Sequence, residues 1–199
     1  NNKDILHIEI YKEVDCSKEV ALWNYWDHEH LDIVHEGYQE SNVLYDKKNF
    51  LFRVDNIKVP MIPFLKFITP IFMVQDNDED LIVYAVQMGV LSKTTISINS
   101  LSNKKCKIKM DYKFYLNGWR KMLRPLLKRL IPKWNEKVWQ EDLSVKLRRQ
   151  KVLEMNFRDF VGIPFERDQR LDKGADNKKL ILPIPRPLES SRDLHPLSI

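Results

Sequence analysis

Three histidines and three carboxylates crowd the ten residues from Trp26 to His35, a density of ligating and acid–base side chains found nowhere else in the chain. Asp27, His30 and His35 stand there in the spacing D-x-x-H-x-x-x-x-H. Two neutral imidazoles joined by one carboxylate from elsewhere would make the facial triad of a non-heme Fe(II) site, with coordination positions left open. On an ideal helix His30 and His35 lie about 140° apart, so they converge on one ion only if the helix ends or distorts between them. Gly37 offers an early end. His28 and His35 share a side of such a helix but sit about 10 Å apart along its axis. The competing reading needs no metal. Asp27 and His30 form a buried hydrogen-bonded pair, while His28, Asp32 and His35 make a solvated stripe of i,i+3 and i,i+4 neighbours.

The elements that must position these groups follow from periodicity. His7 to Val14 alternates as a strand. Asp15 and Ser17 supply turn and N-cap chemistry, and a helix is predicted from about Lys18 to about His35. On it Val20, Trp23, Asp27, His30, Leu31 and Val34 recur at spacings of three and four, so Asp27 and His30 point where the apolar residues point. Strand-like segments follow over Tyr38–Tyr45, Asn49–Val59, Ile71–Gln75, Asp80–Leu91, Thr94–Ser100 and Lys104–Leu116, separated by polar turn clusters. The apolar run Val59 to Val74 holds Pro60, Pro63 and Pro70 and reads as a loop leading into a strand. From Asn117 the period becomes helical. Trp119 to Ile131 is one predicted helix, kinked at Pro125. Pro132 breaks it, and a second helix runs from Trp134 to about Phe160. The division expected is one domain over residues 1–161 and an extended tail over 162–199, which holds five of the ten prolines (Pro164, Pro183, Pro185, Pro187 and Pro196).

Composition removes several function classes. With 199 residues, 43% hydrophobic and 31% charged, the chain can bury a real core. Cys16 and Cys106 are the only cysteines, too few for a cysteine-ligated zinc or iron–sulfur centre. A disulfide framework is equally unsupported, which favours a reducing compartment, with the cytoplasm as the expected location. No secretory leader is visible, and no run of about 18 apolar residues predicts a membrane span. The net charge of +5 does not by itself argue for nucleic acid as a partner. No glycine-rich phosphate loop occurs, and the serines and cysteines lack a nucleophile motif.

Strand, helix, antiparallel meander and long C-terminal helix make an α+β plan, a curved sheet wrapped on a helix with an internal cavity. This order resembles the START-like (SRPBCC) superfamily and its helix-grip fold. The D-x-x-H-x-x-x-x-H motif is similar to that of the catalytic domains of Rieske-type ring-hydroxylating oxygenases within that superfamily. That resemblance implies His30 and His35 as ligands of a mononuclear iron and Asp27 as a bridging residue for electron entry. It further implies a third ligand, a carboxylate in a segment like E-D-x-x-x-x-x-x-x-Q. Glu141-Asp142 followed by Gln150 fits that segment, so Asp142 is the implied third ligand and Glu141 its neighbour. The chain lacks the Cys-x-His and Cys-x-x-His pairs of a Rieske cluster. Electrons would have to come from a separate donor protein or from the substrate.

Three functions remain open at this point. One is a non-heme Fe(II) oxygenase-like enzyme acting on a hydrophobic small molecule. The second is a metal-free START-like carrier of a lipid or hydrophobic metabolite, in a cavity lined by Trp23, Phe52, Phe72, Tyr84 and Tyr112. The third is a cyclase or dehydratase using Asp27 and His30 as an acid–base pair. The basic residues Arg120, Lys121, Arg124, Lys128, Arg129 and Lys133, interleaved with leucines, read either as a solvated helix face or as a surface for anionic lipid or an acidic redox partner.

Overall fold

A computed structural model describes residues 4–28, 30–47, 49–59, 62–76 and 80–155. The tail expected over 162–199 lies outside the described residues. Seven strands form one antiparallel sheet: β1 (Ile5–Val14), β2 (Tyr38–Lys47), β3 (Phe50–Val59), β4 (Ile62–Asp76), β5 (Asp80–Gln87), β6 (Val90–Ser102) and β7 (Lys105–Tyr115). Their spatial order is β1-β7-β6-β5-β4-β3-β2. Six strands follow one another as hairpins, and β1 closes against β7 by pairing Ile5 with Tyr115 through Val14 with Cys106. The helices are α1 (Lys18–Trp26), the short α2 (Leu31–Val34) and α3 (Arg124–Glu154), the last preceded by a 3-10 turn over Gly118–Leu123. The plan is the helix-grip fold expected from the element order: one sheet gripping one long helix.

Alternation decides which sheet face meets the helices. Cys106, Ile108, Met110, Tyr112 and Phe114 of β7 are buried, as are Leu51 of β3, Ile71 and Met73 of β4, and Leu81 of β5. They pack with Val20, Ala21 and Trp26 of α1 and Trp139 of α3 into one core. Leu123, Leu127, Ile131, Leu143 and Leu153 anchor the C-terminal helix to that core from its partly buried flank.

Element boundaries differ from expectation in several places: the strand expected over Asp80–Leu91 turns back at Met88–Gly89 into β6, the helix expected from Trp119 begins at Arg124, and three further differences have a physical reason. The helix predicted to reach His35 ends at Trp26. Asp27 is extended (φ −75°, ψ 92°), and the chain resumes helix only at Leu31. The proline-rich run is strand from Ile62. β4 pairs with β3 along its length, but with β5 only from Ile71 onward, so Pro70 needs no donor on its open side. Finally, α3 is one helix of 31 residues that runs through Pro132, about 46 Å at 1.5 Å per residue. Leu127 and Ile131 before the proline, and Asn135 and Trp139 after it, pack inward and hold the helix past the missing N–H. Pro125 sits in the first turn, where a proline costs nothing.

Candidate functional site

The break between α1 and α2 builds the site. Continuous helix would splay His30 and His35; here α2 is a single turn, and His35 at its end leaves the helical conformation (φ −101°, ψ 115°). His30 then opens α2 and His35 ends it, their ring centroids 5.4 Å apart. From the other side, α3 presents its inner stripe. Asn135, Trp139, Asp142, Lys146 and Gln150 are its buried residues, spaced so that all share one face.

The two halves meet at one oxygen. Asp142 Oδ1 lies 3.2 Å from His30 Nε2 and 3.1 Å from His35 Nε2. All three residues are buried, and their ligand atoms lie within 4.8 Å of one another. The expectation that Asp142 approaches both histidines is therefore met in the geometry, although 107 or more residues separate it from either in sequence. Lys146, 0% exposed, donates from Nζ to Asp142 Oδ2 at 3.0 Å. That contact occupies the second carboxylate oxygen and leaves Oδ1 turned to the imidazoles.

Outer contacts orient the rings. His35 Nδ1 is 2.7 Å from Glu141 Oε2, a charge-assisted distance at which the ring nitrogen donates. His30 Nδ1 faces Asp27 Oδ2 at 3.6 Å, an ion-pair separation rather than a hydrogen bond. Such carboxylate contacts on the far ring nitrogen fix the tautomer of a ligating histidine. With Nδ1 of His35 carrying a proton, its Nε2 faces Asp142 Oδ1 either through a second proton or through a shared cation. Two lone pairs in contact would repel. Two donors about 2.1 Å from one ion and at right angles lie about 3.0 Å apart, close to both histidine–carboxylate separations seen here, so the donor set and these two spacings are compatible with a divalent metal as well as with direct hydrogen bonds.

Electrostatics agree on strong coupling. Burial would raise the Asp142 carboxyl, but hydrogen bonds from His30 and His35 and the charge of Lys146 hold it far below the usual carboxylate range. Burial pulls His30 down, yet Asp142 and Asp27 together outweigh it and push it up to about 9. Lys146 is lowered because burial exceeds the help it draws from Asp142.

The other residues singled out by sequence divide cleanly. Trp23 is buried with Arg149 stacked 4.3 Å over its ring. Tyr112 faces α3 from β7 and accepts from Asn135 Nδ2 at 2.8 Å. Phe52, Phe72 and Tyr84 do not line the interior. Phe52 pairs with Phe72, and Phe72 with Tyr84, on the face opposite buried Leu51 and Met73. The Phe52 and Phe72 rings stack at 4.5 Å. The parity of β3 was obscured because its inward positions include a charged pair: Arg53 Nε lies 3.1 Å from Asp55 Oδ2, both buried, and Ser41 Oγ donates to Asp55 at 2.7 Å. Sequence reasoning missed that pair and Lys146. The i,i+2 charges on a strand and the Asp142–Lys146 spacing of four were the available signals. Tyr38, its ring 5.6 Å from His35, connects the histidines to this second polar group; burial raises its hydroxyl, with Arg53 opposing and Asp55 adding to the shift.

No family model matches the chain, and no curated protein matches it by sequence. Solved structures do share the fold. An aromatase/cyclase, ZhuI from Streptomyces sp. R1128, aligns with TM-score 0.64 at 9% identity, over 73% of this chain and 95% of that one. The allergen Ara h 8.0201 aligns with TM-score 0.60 at 8% identity, over 72% and 99%. Human STARD10 aligns with TM-score 0.56 at 17% identity, over 75% and 68%. At these identities the likeness defines the class by architecture alone, a START/Bet v 1-like domain.

Proposed function

We propose that this START-like domain binds a hydrophobic small molecule between sheet and helix and acts on it as a non-heme Fe(II) oxygenase-like enzyme. His30, His35 and Asp142 would hold the metal. The observation that carries the reading is the convergence of both Nε2 atoms on Asp142 Oδ1, with each far ring nitrogen facing a carboxylate. Iron bound by such a triad supplies open positions for activating dioxygen beside a substrate. The protein's own groups do the rest. Glu141 fixes the His35 tautomer and Asp27 biases His30. Lys146 holds Asp142 by its second oxygen and offsets its charge. In this reading Asp27, partly exposed just after α1, would be the point of entry for electrons from a separate donor protein.

A second reading keeps the ligand and drops the metal. In it the domain is a carrier, or a cyclase or dehydratase with His30 and its two carboxylates moving protons. Its support is that His30, His35, Asp142 and Lys146 already pair with one another without an ion, and that an aromatase/cyclase and norcoclaurine synthase share the fold.

Elemental analysis of protein purified anaerobically and reconstituted with Fe(II) separates the two. About one iron per chain, lost in Asp142→Asn, supports the oxygenase-like reading. Absence of retained iron together with a co-purified lipid in mass spectrometry supports the carrier.

A further inference from the structure

One end of the molecule carries an apolar patch that the fold leaves uncovered among the described residues. Trp119 is 61% exposed, Met122 79% and Leu126 46%. They follow at spacings of three and four along the 3-10 turn and the start of α3, so they share a side. The element is not loose. Leu123, Leu127 and Ile131, on the other side, are packed into the core. Met88 extends the patch from the β5–β6 hairpin. It is 53% exposed at positive φ, and its neighbour Gly89 abuts the Arg120 guanidinium so closely that a β-carbon there would stand 2.6 Å from it. Leu91 at the start of β6 and Tyr115 at the end of β7, cross-strand partners, are both exposed as well.

The charge around this patch has one sign along the chain. No carboxylate occurs between Asp111 and Glu136, while Lys121, Lys128, Arg129 and Lys133 are exposed. Arg120 stacks 5.4 Å over Trp119. Asp4 is the acidic group paired with Lys121. Exposed apolar side chains around a tryptophan, ringed by lysine and arginine on a rigid element, match the two requirements of peripheral membrane binding: apolar insertion and attraction to anionic headgroups. The run of basic residues without a carboxylate suits the dense negative charge of anionic headgroups, and a bilayer interface buries Trp119 and Met122 together without a pocket built to receive them.

We propose that this end, from Gly118 to Lys133 with the Met88 hairpin, docks on an anionic lipid bilayer, Trp119 and Met122 entering the interface. The proposal is independent of whether His30, His35 and Asp142 hold a metal.

The full chain is tested by co-sedimentation with phosphatidylcholine vesicles and with vesicles containing about one third phosphatidylserine. Retention on the anionic vesicles only, released at about 1 M NaCl where the Debye length is near 3 Å, is the expected result. Each basic charge contributes about fivefold to partitioning, so Lys128→Glu with Arg129→Glu lowers it by at least tenfold. Trp119→Asp with Met122→Asp abolishes it while circular dichroism and melting stay unchanged, because both side chains are exposed. Trp119 emission shifts to the blue on anionic vesicles, and Trp119→Phe loses that shift but keeps sedimentation. Equal retention on neutral vesicles, no retention on either, or retention insensitive to both double variants overturns the proposal. Capture by an acidic protein without vesicle binding overturns it in favour of a protein partner.

Discussion

The inner stripe of α3 and the outer face of the sheet invert the usual order of a globular domain. The helix buries an amide, a carboxylate, an ammonium and a second amide (Asn135, Asp142, Lys146 and Gln150) with only Trp139 among them. The outer sheet face instead carries a row of aromatic rings, Tyr45, Phe52, Phe72 and Tyr84, cross-strand neighbours on β2 to β5, with Lys93 of β6 5.8 Å over the Tyr84 ring. An outer row of this kind is a local device: each ring gains from its neighbour across the ladder. A buried polar stripe is a collective one. Removing a single member leaves the others uncompensated, at several times the cost. The difference marks the interior, not the visible aromatic surface, as the place where a single substitution reaches furthest.

The sharpest break of this comparison is Asp142→Ala. It strands Lys146 and His30 inside the protein, and a loss of about 3–5 kcal/mol is expected, together with loss of retained iron. Urea unfolding of the metal-free variant checks the first, elemental analysis the second. A loss under about 1 kcal/mol would mean that water already reaches the stripe.

His35→Ala comes next. From sequence alone a ligand at a helix end should contribute little packing, but His35 is only 2% exposed and bonded to Glu141. A loss of about 1–3 kcal/mol is therefore expected from the unpaired partners, again with loss of iron. Unchanged iron content would remove His35 from the triad.

In metal-free protein His30 contributes a pH dependence. Its folded value, about 9, lies above its ordinary value of 6.5, so the attraction of its charged form for Asp142 and Asp27 is fully present below pH 6.5. It is lost as pH rises through about 9. The melting temperature of metal-free wild type should fall over that window, and that of His30→Gln should not. Parallel curves for the two would show that His30 does not carry this charge.

On the outer face Phe72→Ala should cost about 0.5–1.5 kcal/mol beyond the area it buries, without altering metal content or ligand retention. A change in either would place the row at the site after all. The smallest effect is expected for His28→Ala, which lies outside the three-residue cluster: iron content equal to wild type, measured beside His35→Ala.

Much of this was legible in the chain. The period-two segments gave the sheet because each strand alternates against one buried face, and the crowded Asp27–His35 segment with Glu141-Asp142 named the atoms that meet. Legibility failed where a position is decided by what packs on it from afar. Nothing local states that Pro132 would be carried through α3 by Leu127 and Asn135 on either side, or that Pro70 has an unpaired edge. Phe52, Phe72 and Tyr84 read as inward-facing because large aromatics are highly buried on average. Their true face follows from Arg53 and Asp55 being paired inside, a fact that belongs to the sheet.

The sequence by itself determined the residue types at the site, their order along the chain and the helical spacing that puts Asp142, Lys146 and Gln150 on one face, since these follow from covalent order and helix geometry. Only the tertiary structure decided that His30 and His35 converge. The helix stops at Trp26, restarts for one turn at Leu31 and ends again at extended His35, and the packing of α3 brings Asp142 to within 3.2 Å of both rings. Distances between residues more than a hundred positions apart are set by how the layers pack, and no local pattern encodes them.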